Sequence, residues 1–481
     1  MDRKPMKKAQ CSCFSATKKT EPSVGARQRD YILHDTTISL CPFCLERVDA
    51  KIIIRKGQVF LLKNCPRHGE STALLEEDAD YYLNRHRYDK PATASKTQTQ
   101  RQRGCPFDCG LCPDHDQHSC IGLIEVTHNC DLGCPVCYAC SGQDKGFLDL
   151  GTIGKMLDLF QDSEFNNGEI IQISGGEPTT HPQILDIIAL AKKKKVKYVM
   201  LNTNGLRIAR DKKFVKQLKD FVGGFEIYLQ FDGFDLESNL YLRGKDILAV
   251  KQEAIRNLAR ESIPITLVAS IAKGVNDHEI GRLIDFGLNT DYIRGINFQP
   301  LSFFGRIIEP SPSDRITLTG VLKRIEEQTD KKLLKSDFIP LPCNVDRVAI
   351  GYLYKRQGKF VPLMREVDFS RHLSRIDNTF AFAPGSLAAR ALDSFFQGQL
   401  CECLDFVRDL SPMVPADFLV RSKRSKIEHI SKNTFRISVS SFLDAYNFEI
   451  KAIKKECVHM ITPDCKKIPF STYNILYRKN R

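Results

Sequence analysis

The chain has 481 residues, of which 42% are hydrophobic, and a formal net charge of +13. This length allows roughly three domains of about 150 residues each, and no apolar run approaches the ~20 residues that a membrane-spanning helix needs. Residues 1–30 are polar and basic and lack the apolar core of a secretory signal, so we expect a disordered tail and a cytoplasmic protein. The 18 cysteines therefore indicate metal sites rather than disulfides.

Residues 31–90 have the layout of a small metal-binding domain. Two short strands at 50–55 and 58–62 are joined by a Lys-Gly turn, and a knuckle stands on either side of them. The knuckles supply four candidate metal ligands: Cys41, Cys44, Cys65 and His68. Three sulfurs and one nitrogen suit a tetrahedral zinc ion or a rubredoxin-like iron. We predict one mononuclear iron or zinc; the alternative is a metal-free hairpin with core cysteines.

Residues 91–120 combine a polar linker with a second cysteine group. Its members are Cys105, Cys109, Cys112 and Cys120. The first three are separated by three and then two residues, and the fourth completes a set of four thiolates. Four thiolates suit a complete [4Fe–4S] cluster. We therefore predict an auxiliary cluster in this segment, with a zinc site as the competing interpretation.

Residues 121–305 alternate apolar strands with amphipathic helices. The strands are predicted at 121–126, 170–174, 198–202, 226–231, 265–271 and 295–299. Helical spacing places Ile153, Met156 and Phe160 on one face of a helix between the first two strands. The alternation predicts an α/β fold with six parallel strands, either a partial (βα)6 barrel or an open sheet. In both architectures the chemistry takes place at the carboxyl ends of the strands.

A cysteine loop follows the first of these strands. Cys130, Cys134 and Cys137 repeat the spacing of three and then two intervening residues. Three thiolates can hold three irons of a [4Fe–4S] cube and leave the fourth iron open, so that a substrate or cofactor binds it directly. We therefore predict that these three cysteines are catalytic metal ligands.

The ends of the later strands carry candidate cofactor contacts. The second strand runs into Gly175, Gly176, Glu177 and Pro178. Glycines allow the backbone to approach a ligand closely, and Glu177 can accept a hydrogen bond from an ammonium group. Further candidates are Asn202, Asn204, Gln230, Asp232 and Phe298. For the Asn and Asp residues the alternative is a local role as turn formers.

Residues 306–481 are expected to form a C-terminal auxiliary domain of mixed α+β content, with a helix at 318–328 and a strand at 435–439. Most of the excess positive charge lies near the end, because residues 421–481 contain 14 Lys or Arg against 5 Asp or Glu. This end favours peripheral contact with an anionic membrane or with an acidic redox partner. A solvated basic face is the alternative.

The cysteine loop together with residues 175–178 resembles the radical SAM superfamily, over residues 121–305. The resemblance implies that the amino acid end of S-adenosylmethionine (SAM) chelates the open iron. It further implies that an electron cleaves SAM to methionine and a 5′-deoxyadenosyl radical, which abstracts hydrogen from an unactivated carbon. Reduced flavodoxin or ferredoxin is the electron donor that this resemblance implies.

A narrower resemblance extends along most of the chain. It looks like the tetraether lipid synthase group, whose members are also labelled class D radical SAM methylases or pterin methyltransferases. The likeness rests on the metal-binding domain, the four-cysteine segment and residues 228–233, 444–448, 457–459 and 468–470. The group also has a further cysteine cluster. Here Glu456 and Ser471 stand where cysteine is usual, and Cys343 has no second cysteine nearby, so a third [4Fe–4S] cluster stays open.

Three functional hypotheses follow. The leading one is a radical enzyme that couples unactivated sp3 carbons, with lipid tails as the substrate. The alternative keeps the radical chemistry but methylates a pterin or another small heterocycle. The remote alternative is a metal-stabilised nucleic-acid-binding module; because no basic stripe interleaved with aromatic residues accompanies the knuckles, we expect no nucleic acid partner.

Overall fold

The computed structural model describes residues 29–91, 95–143, 146–366, 378, 422, 425, 429 and 432–478. Apart from Arg29 and Asp30, the predicted tail at 1–30 lies outside the described residues. The basic end at 421–481 is described only in part. In the part of the chain that the structure describes, no helix is both long and apolar enough to cross a membrane.

The N-terminal unit is a four-stranded antiparallel sheet in the order β1-β2-β3-β4. Its strands are β1 Ile32–Leu40, β2 Arg47–Arg55, β3 Gln58–Cys65 and β4 Gly69–Glu76. The predicted hairpin is β2-β3, and both turn residues, Lys56 and Gly57, have positive φ, as the tight turns that match strand twist require. A short helix follows, α1 Ala79–Asn84, and the Asp78 side chain caps its first turn.

Six parallel strands form the centre of the second sheet, in the order β5-β6-β7-β8-β9-β10. They are β5 Ile121–Glu125, β6 Ile170–Ser174, β7 Tyr198–Thr203, β8 Phe225–Gln230, β9 Ile265–Ile271 and β10 Ile293–Pro300. All six predicted strands are confirmed. Every residue of β5 and β6 is buried, because a parallel sheet is covered on both faces and its strands are apolar throughout.

Helices connect these strands and cover the sheet. They are α2 Leu150–Ser163, α3 Ile184–Lys193, α4 Leu206–Arg210, α5 Lys212–Leu218, α6 Leu236–Arg243, α7 Leu248–Arg260, α8 Ile280–Leu288 and α9 Leu318–Gln328. The predicted apolar face of α2, with Ile153, Met156 and Phe160, lies in the main hydrophobic core. Helix α9 coincides with the predicted helix at 318–328.

The C-terminal extension continues the barrel sheet at both edges rather than starting a separate sheet. Its strands are β11 Ile339–Pro340, β12 Val348–Arg356, β13 Lys359–Pro362, β14 Thr434–Ser440, β15 Val458–Ile461 and β16 Lys467–Pro469. Strand β14 pairs with β10, and β15 pairs with β5, both in parallel. An incomplete barrel leaves unpaired backbone groups along its two edges, and these strands satisfy them. The described part of the extension also contains the short helices α10 Leu363–Glu366, α11 Ile450–Lys454 and α12 Phe470–Thr472.

Candidate metal centres and active-site cavity

A cavity of about 250 Å³ opens at the carboxyl ends of the barrel strands. Cys130, Cys134 and Cys137 line it, together with residues from the ends of β6, β7, β8 and β10. Burial raises the pKa of Cys130 to about 12, so this thiol keeps its proton until a positively charged metal replaces it. The structure therefore brings the three cysteines of the predicted catalytic loop to the edge of the sheet where chemistry is expected.

The segment after β10 clamps the cysteine loop. Cys137 and Arg306 exchange two backbone hydrogen bonds, of 2.8 and 2.9 Å, and the Arg306 Nε donates to the carbonyl oxygen of Cys134 at 2.6 Å. Gly305 has φ +71°, and a Cβ added there would lie 2.5 Å from the Cys137 carbonyl oxygen. Sequence analysis missed Gly305 and Arg306, because they lie about 170 residues from the loop and belong to no local motif.

The two glycines after β6 line the cavity, and they also allow this turn to pack closely against the protein's own backbone. Gly176 N donates to Thr127 O, and Glu177 N donates to Asn129 O, both at 2.8 Å. A Cβ on Gly175 would lie 2.1 Å from Thr127 O, and one on Gly176 would lie 2.4 Å from Asn129 O. The glycines thus let this turn bond to the backbone that leads into the cysteine loop, which fixes one site element against the other.

Glu177 is buried and joins two strand ends. Its Oε1 accepts from the Thr179 backbone at 3.0 Å and from the hydroxyls of Thr179 and Thr203 at 2.6 and 2.7 Å. Its Oε2 accepts from Asn204 N at 2.6 Å. Burial raises the pKa of Glu177, and these hydrogen bonds oppose that shift. Glu177 also lines the cavity, whereas the neighbouring Pro178 begins a buried 3-10 turn.

Among the predicted contacts at the later strand ends, Asn202, Asn204 and Gln230 line the cavity. The Asn204 side chain already has partners within the protein, since it accepts from Leu206 N and donates to Asp131 in the cysteine loop. The Asn202 Oδ1 is different: it is buried and has no hydrogen-bond partner among the described residues.

Two other predictions at the strand ends need correction. Asp232 is buried, and both its oxygens bind the guanidinium of Arg243, at 2.6 and 2.8 Å; Arg243, not Asp232, lines the cavity. Phe298 belongs to the hydrophobic core. Successive side chains of a strand point to opposite faces, so Gln299 lines the cavity in place of Phe298.

Lys251 on α7 is a site residue that sequence analysis did not identify. Its Nζ donates to the carbonyl oxygens of Asn204 and Gln230, at 2.5 and 2.7 Å, and to the Gln230 side chain at 2.5 Å. These contacts hold the ends of β7 and β8 beside each other. Burial lowers the pKa of Lys251 to about 7. In sequence it is one lysine on an amphipathic helix, and nothing local distinguishes it.

The four ligands predicted in the N-terminal unit come together. The atoms of Cys41, Cys44, Cys65 and His68 that could bind a metal all lie within 4.8 Å of one another. The His68 Nδ1 is 3.5 Å from the sulfurs of Cys41 and Cys65, close to the roughly 3.5 Å that tetrahedral zinc imposes between nitrogen and sulfur ligands. Burial opposes ionisation of Cys65, but hydrogen bonds from Arg67 and His68 outweigh it and lower its pKa to about 6.

The predicted four-cysteine cluster at 105–120 needs correction in one member. Cys105, Cys109 and Cys112 line a common cleft with His115, and burial raises the pKa of Cys105 to about 12. Cys120 does not join them. Its sulfur lies within 4.8 Å of the sulfurs of Cys343 and Cys457.

Strand pairing explains the position of Cys120. It directly precedes β5, Cys457 directly precedes β15, and the first residues of these strands, Ile121 and Val458, are paired in parallel. The pairing places Cys120 beside Cys457, and Cys343 comes from the turn between β11 and β12. We refer to Cys120, Cys343 and Cys457 as the cysteine trio.

Comparison with known proteins identifies the family. The model of the radical SAM superfamily matches residues 124–287, and the model of the HMPTM N-terminal zinc ribbon domain matches residues 33–77. The 7,8-dihydro-6-hydroxymethylpterin dimethyltransferase of Methanocaldococcus jannaschii is 32% identical over 484 aligned residues, which cover 92% of this chain and 94% of that protein. The chain belongs to the radical SAM superfamily. Within it, the chain belongs to the family of the M. jannaschii protein.

Other likenesses cover only part of the chain. The mycofactocin maturase MftC of Mycobacterium ulcerans is 30% identical over 168 residues, which cover 35% of this chain and 43% of that protein. The crystal structure of Streptococcus suis SuiB bound to the precursor peptide SuiA has 19% identity and a TM-score of 0.37, and it covers 45% of this chain and 46% of that one.

As a radical SAM enzyme, the chain uses a [4Fe–4S] cluster and SAM, and the cavity has donors and acceptors that fit them. Cys130, Cys134 and Cys137 reach its wall, so three thiolates are available to one cluster. The buried, unpaired Asn202 Oδ1 is an acceptor that a hydroxyl or ammonium group of SAM would satisfy, and buried acceptors rarely stay unpaired in the functional state.

Proposed function

We propose that this radical SAM enzyme transfers methyl groups to a pterin-type heterocycle. The observation that carries the proposal is the 32% identity to a pterin dimethyltransferase over 92% of the chain. An alignment of this extent includes the zinc ribbon, the barrel and the C-terminal extension, so it concerns the complete site and not the common barrel alone. This favours the alternative hypothesis from sequence over lipid coupling.

In this proposal the chain's own residues hold and orient the reactants. Cys130, Cys134 and Cys137 bind the cluster, which when bound supplies the electron that cleaves SAM. Asn202 accepts from SAM through its free Oδ1, and Glu177 adds a buried carboxylate to the same cavity wall. Arg306 fixes the cysteine loop, because its hydrogen bonds to Cys134 and Cys137 hold the metal ligands from the far end of the barrel.

Aromatic rings beyond the cysteine loop offer a place for a flat heterocycle. Phe470 is central: its ring centroid lies 4.5 Å from that of Phe442, 5.4 Å from that of Tyr138 and 6.0 Å from that of Phe304. All four residues line the cavity. Stacked and edge-to-face contacts with such rings stabilise a bound aromatic system.

Polar side chains line the same cavity and suit the edge of a pterin ring. Gln172 on β6, Tyr228 on β8 and Gln299 on β10 stand on alternate strands of its wall. Amide and hydroxyl groups both donate and accept, as the alternating ring nitrogens, amino group and carbonyl of a pterin demand. Within the protein, Gln172 already accepts from Asn202 and Tyr228 already accepts from Asn297. Each group keeps further donor or acceptor capacity that a pterin can use and an aliphatic substrate cannot.

Coupling of sp3 carbons between lipid tails is the second candidate, and one observation favours it. Much of the cavity wall is apolar, with Leu123, Val136, Ile307 and Val458 in addition to the aromatic rings. Such a wall also accommodates an alkyl chain. The two candidates differ in their products: methylation adds a one-carbon group to the substrate, whereas coupling joins two alkyl chains and adds no carbon.

The test uses anaerobic enzyme, reduced flavodoxin and SAM with a deuterated methyl group. One arm receives a 6-hydroxymethyl-dihydropterin and the other a lipid with saturated tails, and both are analysed by mass spectrometry. We expect the pterin to gain one or two methyl masses, with deuterium if SAM is the methyl donor. The lipid should be unchanged.

Two variants complete this test. Cys134→Ala should give neither product nor deoxyadenosine, and Cys140→Ala, which removes a thiol just after the same loop, should behave as wild type. Coupled lipid tails together with an unchanged pterin would overturn the proposal and establish the second candidate.

A further inference from the structure

The cysteine trio is buried where the C-terminal extension meets the barrel. The exposed fractions of Cys120, Cys343 and Cys457 are 0%, 1% and 0%, and the sulfurs of Cys343 and Cys457 are 3.6 Å apart. The three residues come from the start of β5, the turn between β11 and β12, and the start of β15. No role in the proposed methyl transfer uses them.

The spacing of the sulfurs indicates what kind of metal centre fits. Two thiolates on one tetrahedral ion with metal–sulfur bonds of about 2.3 Å lie roughly 3.8 Å apart. In a cube each thiolate binds a different iron, so the sulfurs lie farther apart. The trio, with all sulfurs within 4.8 Å, shares the compact geometry of the zinc-ribbon ligands. Among the described residues, neither the cysteine loop nor Cys105, Cys109 and Cys112 forms so compact a group.

A nitrogen ligand stands beside the trio. The His118 Nε2 is 3.4 Å from the Cys120 sulfur, close to the nitrogen–sulfur separation of about 3.5 Å on a tetrahedral ion. The His118 Nδ1 is buried and has no hydrogen-bond partner among the described residues. His118 lies two residues before Cys120 in the chain. Its nitrogens do not lie within 4.8 Å of all three sulfurs, so the imidazole has to move toward Cys343 and Cys457 when the ion binds.

We propose that Cys120, Cys343, Cys457 and His118 bind one tetrahedral divalent ion, zinc or iron(II), as a second mononuclear centre. The ion ties three segments that are more than 100 residues apart in sequence. It secures β15 to the first barrel strand, and it also secures the β11–β12 turn, so the extension stays closed against the barrel. A structural ion of this kind stabilises the fold directly. The proposal does not depend on the substrate of the enzyme.

The test compares purified anaerobic holoenzyme with Cys343→Ser and His118→Asn by elemental analysis of zinc and iron per chain. We expect Cys343→Ser to lose about one equivalent of zinc or of iron, with a lower melting temperature. We expect His118→Asn to lose the same metal at least in part. The matched control is Cys465→Ser, whose thiol lies in the turn after β15 outside the trio, and it should keep the full metal content.

Other outcomes overturn the proposal. A loss of about four irons in Cys343→Ser would indicate a [4Fe–4S] cluster at the trio, and an unchanged metal content would indicate metal-free thiols. If Cys343→Ser does not fold, anomalous diffraction from wild-type crystals at the zinc and iron edges decides the question. One isolated peak between the three sulfurs and His118 supports the proposal; a four-iron peak, a Cys343–Cys457 disulfide or no peak refutes it.

Discussion

The cysteine loop and the cysteine trio are two groups of three buried thiols, but they are assembled in different ways. Seven positions separate the first and last members of the loop, and backbone hydrogen bonds with Gly176, Glu177 and Arg306 orient it at the mouth of a cavity. The members of the trio lie up to 337 positions apart. Cys120 and Cys457 meet because β5 pairs with β15, and the turn between β11 and β12 adds Cys343. The loop is open to a ligand, whereas the trio is enclosed in the fold.

This difference separates a reactive site from a structural one. A cluster in the loop has room for SAM at its side, because the cavity adjoins all three cysteines. An ion in the trio would have protein on every side. Disrupting the loop should therefore stop the chemistry and leave the fold, and disrupting the trio should mainly lower stability.

The largest effect is expected for Cys134→Ala in the loop. Two remaining thiolates rarely hold a cube, so deoxyadenosine formation should fall to background and iron should drop by about four atoms per chain. Liquid chromatography with mass spectrometry measures the first and iron analysis the second. Turnover like that of the wild type would refute the assignment of the loop.

Gly176→Ala should come next, because it disturbs the support of the loop without changing a metal-ligating cysteine. A Cβ at this position would lie 2.4 Å from Asn129 O and would force the two segments apart. We expect at least a ~10-fold loss of deoxyadenosine formation, since misplacement of about 1 Å at a reactive site has effects of this order or larger. Gly133→Ala is the matched control: it lies inside the loop, its Cβ would meet nothing within 4 Å, and it should keep most of the activity.

A smaller effect on SAM cleavage is expected for Cys109→Ala. This variant tests whether Cys105, Cys109 and Cys112 form a site separate from the cysteine loop and from the cysteine trio. If Cys105, Cys109 and Cys112 hold a cluster, this change removes iron but spares the deoxyadenosine that forms at the loop. Cys120→Ala should leave the iron of that cluster intact, because Cys120 lies in the trio. Equal iron losses in both variants would restore the predicted four-cysteine group and contradict the structure.

The smallest effect is expected at Lys251, behind the cavity. Its pKa is about 7 in the folded protein and 10.5 in the reference state, so between these values the unfolded chain binds the extra proton. The contribution of this group to stability therefore grows as the pH rises from 7 toward 10.5, and it is lost as the pH falls back through that window. The free energy of unfolding of the wild type minus that of Lys251→Met should rise by about 1 kcal/mol per pH unit there.

Chemical denaturation at pH 7, 8 and 9 measures this difference. Lys245→Met, at an exposed position shortly before α7, should show no such trend when compared with the wild type in the same way. A flat difference for Lys251→Met would mean that Lys251 keeps its proton when buried, held by its three oxygen acceptors.

The sequence alone determined the features whose parts lie close together along the chain. Six strands, the helix at 318–328, the zinc-ribbon ligands and the cysteine loop were predicted from local period and spacing, and the family and fold agree with them. Residues within about ten positions are held near each other by the covalent chain, so their spacing already restricts their geometry. The two knuckles of the zinc ribbon are farther apart in sequence, but the hairpin between them, β2-β3, brings them together.

Only the tertiary structure decided which distant residues meet and which face each side chain takes. It placed Cys120 beside Cys457 and Cys343 rather than beside its sequence neighbours. The pairing of β5 with β15 supplies Cys457, and the turn between β11 and β12 supplies Cys343. In the structure, Phe298 lies in the core and Gln299 lines the cavity. Successive side chains of a strand point to opposite faces, and the register of the strand is the one that buries its apolar side chains. The tertiary structure also brought Arg306 to the cysteine loop across the barrel, a contact that no local pattern contains.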